Sequence, residues 1–445
     1  MLSDFLNYIV ANNLIKKDQK ILAAVSGGID SMVMAHLFIK AGIKIGIAHC
    51  NFCLRGTESD KDEALVKKFS EKNKLPFYSI RFDTQNYAKE NGISIQMAAR
   101  DLRYRWFEDV RKENGYDLVA SAHNLNDNVE TMLINLTRGT GIAGLTGMKP
   151  SAGCIIRPLL FATRKSIEIY CSKNRLRYRE DQSNTGTKYT RNKIRHLVIP
   201  VFREINPSVE ITLNETAGRF REVNEIMDYF ITDLSDKLIK HDDKVLNIRI
   251  KTLKPFLFND TIIYELFKPY GITGNTIHDI RSLLSGKTGS SVLTGTHRII
   301  KNRNEILITG LPEDNKCNYI AGNLKELKKA APLESVTSAE ISKEFEIPKD
   351  AETACLNFEK IKFPVTIRNW QHGDFFYPLG MKERKKISDY LIDRKYSLPE
   401  KEKFLILESD GKIIWLIGER IDDRFKVTPG TKRALIIKAR TRQKY

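Results

Sequence analysis

The sequence predicts an α/β fold: a parallel-sheet domain over residues 1–205, a mostly helical connecting domain over 206–350 and a small α+β domain over 360–440. Three observations lead there. From residue 20 to about 200, short β-rich runs alternate with helical ones, the pattern of a parallel sheet with helices on both faces. The first of those strands runs into Ser26-Gly27-Gly28-Ile29-Asp30-Ser31, a glycine turn that opens directly onto a helix. Beyond residue 205 the alternation stops; helical periodicity follows, and strands and turns return after about 360.

Taken in order, Ser3 is placed to cap a short first helix. Asp4 sits in its first turn, and Leu2, Phe5, Leu6, Ile9 and Val10 form an apolar stripe. Strands are expected at 21–25, 43–48, 77–82 and 118–121, with helices at 31–40, 59–73, 96–113 and 127–137. Glu222 to Phe230 repeats apolar residues at helical spacing, and 244–312 mixes helix with short strands such as 305–308. The Lys-rich, sparsely apolar stretch near 324–350 reads as a connector or irregular edge. Strands are expected again at 365–368, 404–407, 413–417 and 434–437, with Trp370, Phe375, Phe376 and Tyr377 as core of this last domain.

The glycine turn is where the chemistry is legible. A strand that turns through two glycines into a helix start aims backbone N–H groups and the positive end of the helix dipole at one spot, which suits a phosphate or pyrophosphate. Gly27 and Gly28 allow close approach, and Ser26 and Ser31 add hydroxyls. Asp30 is the odd member, because a carboxylate repels phosphate unless Mg²⁺ lies between them. A second glycine–lysine run, Ser285-Gly286-Lys287-Thr288, follows a helical pattern rather than a strand and carries Arg281 where a Walker loop needs glycine. It reads as a polar turn.

The 445 residues are long for one core, and 73 Lys+Arg against 55 Asp+Glu give a net charge of +18, which favours a polyanionic partner such as nucleic acid. No apolar run is long enough to span a membrane, and the N-terminus lacks the pattern of a signal peptide. The six cysteines are scattered, which fits a reducing cytoplasm better than a disulfide framework. Cys50 and Cys53 form a lone CxxC, a weak signal for zinc or an iron–sulfur cluster.

The glycine turn resembles the PP-loop signature SGGxDS of ATP pyrophosphatases, which implies an adenine nucleotide α-hydrolase-like domain that cleaves ATP between its α and β phosphates. Further motifs narrow the resemblance. His49-Cys50-Asn51-Phe52-Cys53-Leu54-Arg55-Gly56-Thr57-Glu58-Ser59 is similar to HxNxxLRGxES, and Ala99 to Tyr104 to ARxxRY. Arg138 to Met148 resembles RGxGxxGLxGM, followed by Arg157-Pro158-Leu159-Leu160. Asp181 to Asn184 with Arg191 to Arg195 resembles DxSN…RNxIR, and Gly373 to Met381 resembles GDxFxPLGM. In this order and over residues 20–430, they identify the chain as resembling the tRNA(Ile)-lysidine synthetase family.

That resemblance implies attachment of the ε-amine of free L-lysine to C2 of the wobble cytidine in a tRNA(Ile) with a CAU anticodon. ATP would activate the C2 oxygen as an adenylate. Ser26, Gly27, Gly28, Ile29, Asp30 and Ser31 would cradle the phosphates, with Asp30 holding Mg²⁺, and Arg103 would brace phosphate charge. The family's HHxDDQxET reads here as His123-Asn124-Leu125-Asn126-Asp127-Asn128-Val129-Glu130-Thr131, so one of the usual paired carboxylates remains. Asp127 is therefore the choice for the base that takes the amine's proton, and Asp30, Arg103 and Asp127 form the catalytic set. His49, Asn51, Arg55, His123, Glu130, Arg138, Arg191 and Arg195 are expected to contact substrate. His123 reads equally as an assistant or as a partner of its strand end. Arg138 reads as a contact or a helix end, and 175–179 as a phosphate groove or a solvated face. No membrane partner is expected, and a homodimer is left open. The rival reading is a PP-loop tRNA thiolase using Cys50 and Cys53; a tRNA-binding protein with a degenerate ATP site is a further one.

Overall fold

The structure, a computed structural model, describes residues 1–54, 56–179, 190–242, 245–312, 317–342 and 345–440. The chain divides into two compact units, Met1–Tyr229 and Phe230–Tyr445. The boundary falls inside one long helix.

The first unit is the expected α/β layer structure. After helix α1 (Leu2–Ala11) come β1 (Ile21–Ala24), α2 (Ile29–Lys40), β2 (Ile45–Asn51), α3 (Thr57–Lys72), β3 (Phe77–Arg81), α4 (Thr84–Glu90), α5 (Ile95–Glu113), β4 (Leu118–Ala120), α6 (Leu125–Arg138) and a short α7 (Ile142–Leu145). The strand pair β5 (Ser151–Ala152) and β6 (Ile155–Ile156) precedes α8 (Arg164–Lys173), α9 (Thr190–Lys193), a π-helical turn at Ile194–Val198, α10 (Ile199–Ile205) and α11 (Val209–Leu238). The sheet order is β3-β2-β1-β4-β6-β5, parallel except at β5. Being central, β1 pairs on both sides, Ile21 with Ile45 and with Leu118. Helix α2 is apolar over most of its surface, and Met32, Val33, Met34, Ala35, Leu37 and Phe38 are all buried against the sheet and its neighbouring helices.

Three local expectations fail here. Ser3 does not cap α1; the helix already begins at Leu2, and Met1 stands at the cap position without a side-chain bond. Of the proposed stripe, Phe5 and Ile9 are buried while Leu6 and Val10 stay exposed, because the helix packs along a narrower seam. Strand β2 starts two residues late and runs on to Asn51, drawn out by its pairing with β3.

The second unit opens with an antiparallel sheet in the order β7 (Ile239–Asp242), β8 (Val245–Arg249), β11 (Glu305–Gly310), β10 (His297–Asn302), β9 (Ser291–Leu293). Helices α12 (Ile250–Leu253), α13 (Asp260–Phe267) and α14 (Ile277–Ser285) share its core through Leu253, Ile263, Leu266, Ile280 and Leu283. Ser285-Gly286 is the end of α14, and Lys301 Nζ caps it by donating to the Leu284 and Gly286 carbonyls at 2.7 Å.

The rest of the unit holds β12 (Asn318–Ala321), α15 (Leu324–Leu327), β13 (Leu333–Glu340), β14 (Thr353–Asn357), β15 (Val365–Asn369), the hairpin β16 (Phe375–Phe376) and β17 (Lys385–Lys386), α16 (Ile387–Asp393), α17 (Leu398–Glu402), β18 (Leu405–Ser409), β19 (Lys412–Leu416), β20 (Arg420–Ile421) and β21 (Arg433–Ala439). The Lys-rich stretch is therefore no connector. Its Leu333–Glu340 is a full strand that pairs with β21, with Leu333 and Val336 turned into the core. A bulge between Leu333 and Ser335 breaks the alternation, and half of its side chains are exposed and polar, which hid the strand. Phe375 is not core either; it is exposed and the Arg384 guanidinium lies over its ring, while Phe376 beside it is buried. Neighbouring strand residues point to opposite faces.

Candidate active site

The glycine turn closes on itself before it meets any ligand. Ser31 Oγ accepts from the Ser26 amide at 3.2 Å and donates to the Gly28 carbonyl at 2.8 Å, while Ser26 Oγ accepts from the Gly28 amide at 3.3 Å. Gly27 has φ +91°, a value that L side chains avoid, and a Cβ there would touch Val66 and Asp62 of α3. The Arg179 amide holds the Gly27 carbonyl at 3.0 Å, and its guanidinium pairs with Glu58 and Asp62. Behind the turn, His49 is buried and its Nδ1–H donates to the Val25 carbonyl at 2.9 Å. Burial pushes that imidazole below its usual range, so it is neutral. The result is a rigid helix N-terminus facing a cavity of about 280 Å³ lined by Ser26, Gly28, Asp30, Ser31, Cys50, Phe52, Arg103, Tyr104 and His123.

Asp30 lies in the first turn of α2. Its Oδ2 accepts from Arg164 Nη1 at 2.8 Å and its Oδ1 from Asn124 Nδ2 at 3.1 Å. Asn124 also caps α6. Its Oδ1 accepts from the Asp127 amide at 3.0 Å, and its own amide donates back to Asp127 Oδ2 at 3.1 Å. One asparagine thus links the two carboxylates. Burial raises the Asp30 carboxyl above the usual range, the Arg164 charge opposes this, and the neighbouring Asp127 raises it further.

One turn along α6, Glu130 is 1% exposed and gripped by Arg195, Nε to Oε1 at 2.6 Å and Nη2 to Oε2 at 3.0 Å. Arg195 reaches Asp127 Oδ1 at 3.4 Å from its π-helical turn, a rare backbone form. Arg191 donates to Thr131 Oγ1 at 2.6 Å and stands 3.3 Å from Glu130 without hydrogen-bond alignment. Asp127 keeps 19% exposure, so of the two acids it is the more accessible. His123 Nδ1 bonds Ser121 Oγ at 2.9 Å. Burial, helped by the Arg157, Arg191 and Arg103 charges and opposed by Asp127, lowers it to about 4, so His123 is neutral near pH 7.

Of the residues chosen from sequence, Ser26, Gly28, Asp30, Ser31, Arg103 and His123 line one cavity, and Asp127, Glu130, Arg191 and Arg195 adjoin it. Arg103 lies with its guanidinium 5.1 Å from the Phe52 ring. Asn51 does not face the cavity. It is buried, with its Nδ2 spent on Asp60 and Glu63 and its Oδ1 on the Cys53 amide. Arg138 is exposed at the far end of α6, about 20 Å along the helix from its start, with Gly139 as the cap. Arg55 and 181–184 lie outside the described residues. Arg164 was missed, because nothing in a sequence brings it to Asp30, 134 positions away.

Asn124, Asn126 and Asn128 all have structural partners. Besides Asn124, Asn126 accepts from the Arg164 amide at 2.9 Å and donates to Glu210 at 3.1 Å. Asn128 donates to Asn214 at 2.8 Å and accepts from the Met148 amide. The Cys50 thiol is pushed up to about 12 by burial, which makes it a poor thiolate at neutral pH. No group of three metal-ligating side chains occurs among the described residues. The half-buried pair Asp30 and Asp127 nevertheless fits a divalent cation completed by phosphate oxygens and water, since a cation would relieve their mutual repulsion.

Family models match a PP-loop domain at 3–202, a TilS substrate binding domain at 240–312 and a TilS substrate C-terminal domain at 365–437. A tRNA(Ile)-lysidine synthase from Parabacteroides distasonis is 40% identical over 97% of this chain and 98% of its own. One from Bacteroides thetaiotaomicron is 39% identical over 97% and 98%. Among solved structures, a U34-tRNA thiolase from Methanococcus maripaludis is 17% identical with a TM-score of 0.42 over 50% of this chain and 80% of its own. No helix among the described residues is long and apolar enough to cross a membrane. The chain belongs to the tRNA(Ile)-lysidine synthase family, and ATP is the substrate of its PP-loop domain.

Proposed function

We propose that this protein joins free L-lysine to C2 of the wobble cytidine of a tRNA(Ile) with a CAU anticodon, in the cytoplasm, forming lysidine, AMP and diphosphate. The observation that carries this is one cavity lined by the glycine turn, Asp30 and Arg103, with Asn124 linking Asp30 to Asp127 beside it, in a chain of this family.

In the first step the C2 oxygen of cytidine attacks the α-phosphorus of ATP and diphosphate leaves. The start of α2, with the turn amides other than those of Ser26 and Gly28, receives the phosphates. Mg²⁺ held by Asp30, when bound, supplies neutralisation of the leaving diphosphate. Arg103, half-buried against Phe52, is held at the wall where charge develops. In the second step the lysine ε-amine attacks C2 and AMP departs with the oxygen. That amine has an ordinary pKa of about 10.4 and must lose a proton first. Asp127 is the acceptor, because Glu130 is sealed by Arg195 and His123 is committed to Ser121. Arg191 and Arg195 stand by the same acids, and the exposed Arg138 is offered to the RNA. His49 and Asn51 serve by shaping the turn and the end of β2.

The test supplies ATP, labelled lysine and the tRNA transcript to the purified chain. Label in tRNA with matching AMP is expected. AMP without label in tRNA, or sulfur in place of lysine, would overturn the reading.

A further inference from the structure

We propose that Arg164 is an internal cation that holds Asp30 in place until the metal–nucleotide arrives, which makes it a positioning residue for ATP binding. This rests on the reading of Asp30 as the metal ligand.

Both oxygens of the Asp30 carboxylate are occupied by the chain's own donors, Oδ2 by Arg164 at 2.8 Å and Oδ1 by Asn124 at 3.1 Å. The two donors differ in charge. Asn124 is neutral, buried and locked into the cap of α6, so it orients the carboxylate without competing for its charge. Arg164 is a cation at the start of α8. Its backbone amide is fixed by Asn126 and its Nε by Glu168 at 2.9 Å, so the guanidinium is held at the site by its own helix. Without it Asp30 and Asp127 would repel as two half-buried anions, with the Arg195 charge beside them.

A divalent cation asks for the same oxygens, and it cannot sit beside an arginine on one carboxylate without like-charge repulsion. Arg164 must therefore yield Asp30 as the metal binds. Its side chain is 40% exposed and Glu168 is 54% exposed, so both ion pairs are partly solvated and the guanidinium turns outward into water when the metal takes its place on Asp30. Arg164 and Mg²⁺ are alternative partners of Asp30, and the competition has a sign that can be measured.

The experiment titrates Mg²⁺ into full-length protein with an ATP analogue bridged by methylene between its α and β phosphates, and follows equilibrium binding. Arg164→Gln should lower the Mg²⁺ concentration at half-maximal binding about fivefold. Arg164→Lys, which keeps the charge and is the gentler change for folding, should fall between Gln and wild type. Asp30→Asn should raise the midpoint, and Arg164→Gln added to it should shift it no further. An unchanged or higher midpoint in both Arg164 variants, with Asp30→Asn still raising it, would overturn the role of Arg164 alone. A wild-type midpoint in Asp30→Asn would instead remove Asp30 as the ligand. A shift from Arg164→Gln that persists in the Asp30→Asn background would mean that Arg164 acts on the phosphates directly, and would also overturn the proposal.

Discussion

Asp127 and Glu130 lie three positions apart on one helix, yet they have opposite surroundings. Glu130 is buried and doubly bound by Arg195, whereas Asp127 keeps an open edge. Asp127→Asn should consequently slow single-turnover lysidine formation at least a hundredfold while tRNA affinity changes less than about threefold, since an amide keeps the shape but takes no proton. Measuring both on one preparation decides the matter; equal losses would make Asp127 a structural acid. His123 gives a second residue-scale test. Its native pKa of about 4 lies below the ordinary value of about 6.5, so between those values the unfolded chain binds a proton that the native chain refuses. Stability is full above pH 6.5 and falls as the pH drops, by about 2 kcal/mol between pH 7 and 5. Urea midpoints of wild type and His123→Gln across that window should diverge, with the variant less pH-sensitive; parallel curves would sink the assignment. At this scale the sequence was informative where a residue acts through local backbone, as at Gly27. It was silent where the partner is distant, as for Arg164 with Asp30.

Secondary elements were legible wherever burial imposed a clear period. Strand β1 and helix α2 are read almost to the residue, because both are buried on nearly every side. Strand β13 was lost for the opposite reason: only Leu333 and Val336 of its apolar face are deeply buried, and lysines precede it. Helix α6 shows what polar residues do inside an element. Asn124, Asn126 and Asn128 each tie the helix to a separate segment: α2, the start of α8 and α11. Asn128 is 1% exposed, and Gly147, with φ +67°, leaves no room for a Cβ against it. Asn128→Ala strips partners from the Met148 amide and from Asn214 together. A cost of about 2–3 kcal/mol follows from leaving buried polar groups unpaired. Calorimetry should record a fall of about 5–10 °C in the melting temperature. A change under 2 °C would mean that water replaces the amide at no cost.

Across the whole molecule, the excess of 73 Lys+Arg over 55 Asp+Glu needs a place to act, and many of the cations are already engaged. Lys385 pairs with Asp393, Lys438 with Glu334, and Arg433 lies over Phe358. Lys382, Lys386 and Lys395 have no ion pair among the described residues, which leaves them free for phosphate contacts. A cut at residue 360 would be a poor test of this domain, because β13 and β14 both pair with β21 and would lose their partner. Ending the chain after Gly310, at the close of β11, keeps the connecting sheet whole and removes the later strands together. The glycine turn, Asp30, Arg103 and Asp127 all lie in the first unit, so affinity for the magnesium–ATP analogue should stay within about twofold of the full chain. Affinity for tRNA should fall steeply at low salt, and its salt dependence should flatten by about one unit of slope for each phosphate contact removed, about three in all. Binding curves at four salt concentrations for both chains, with the nucleotide as control, test this directly. A soluble truncation with the full tRNA affinity and slope would place RNA recognition wholly before residue 310. A truncation that also loses nucleotide binding would show that the cut had damaged the first unit rather than removed an RNA contact.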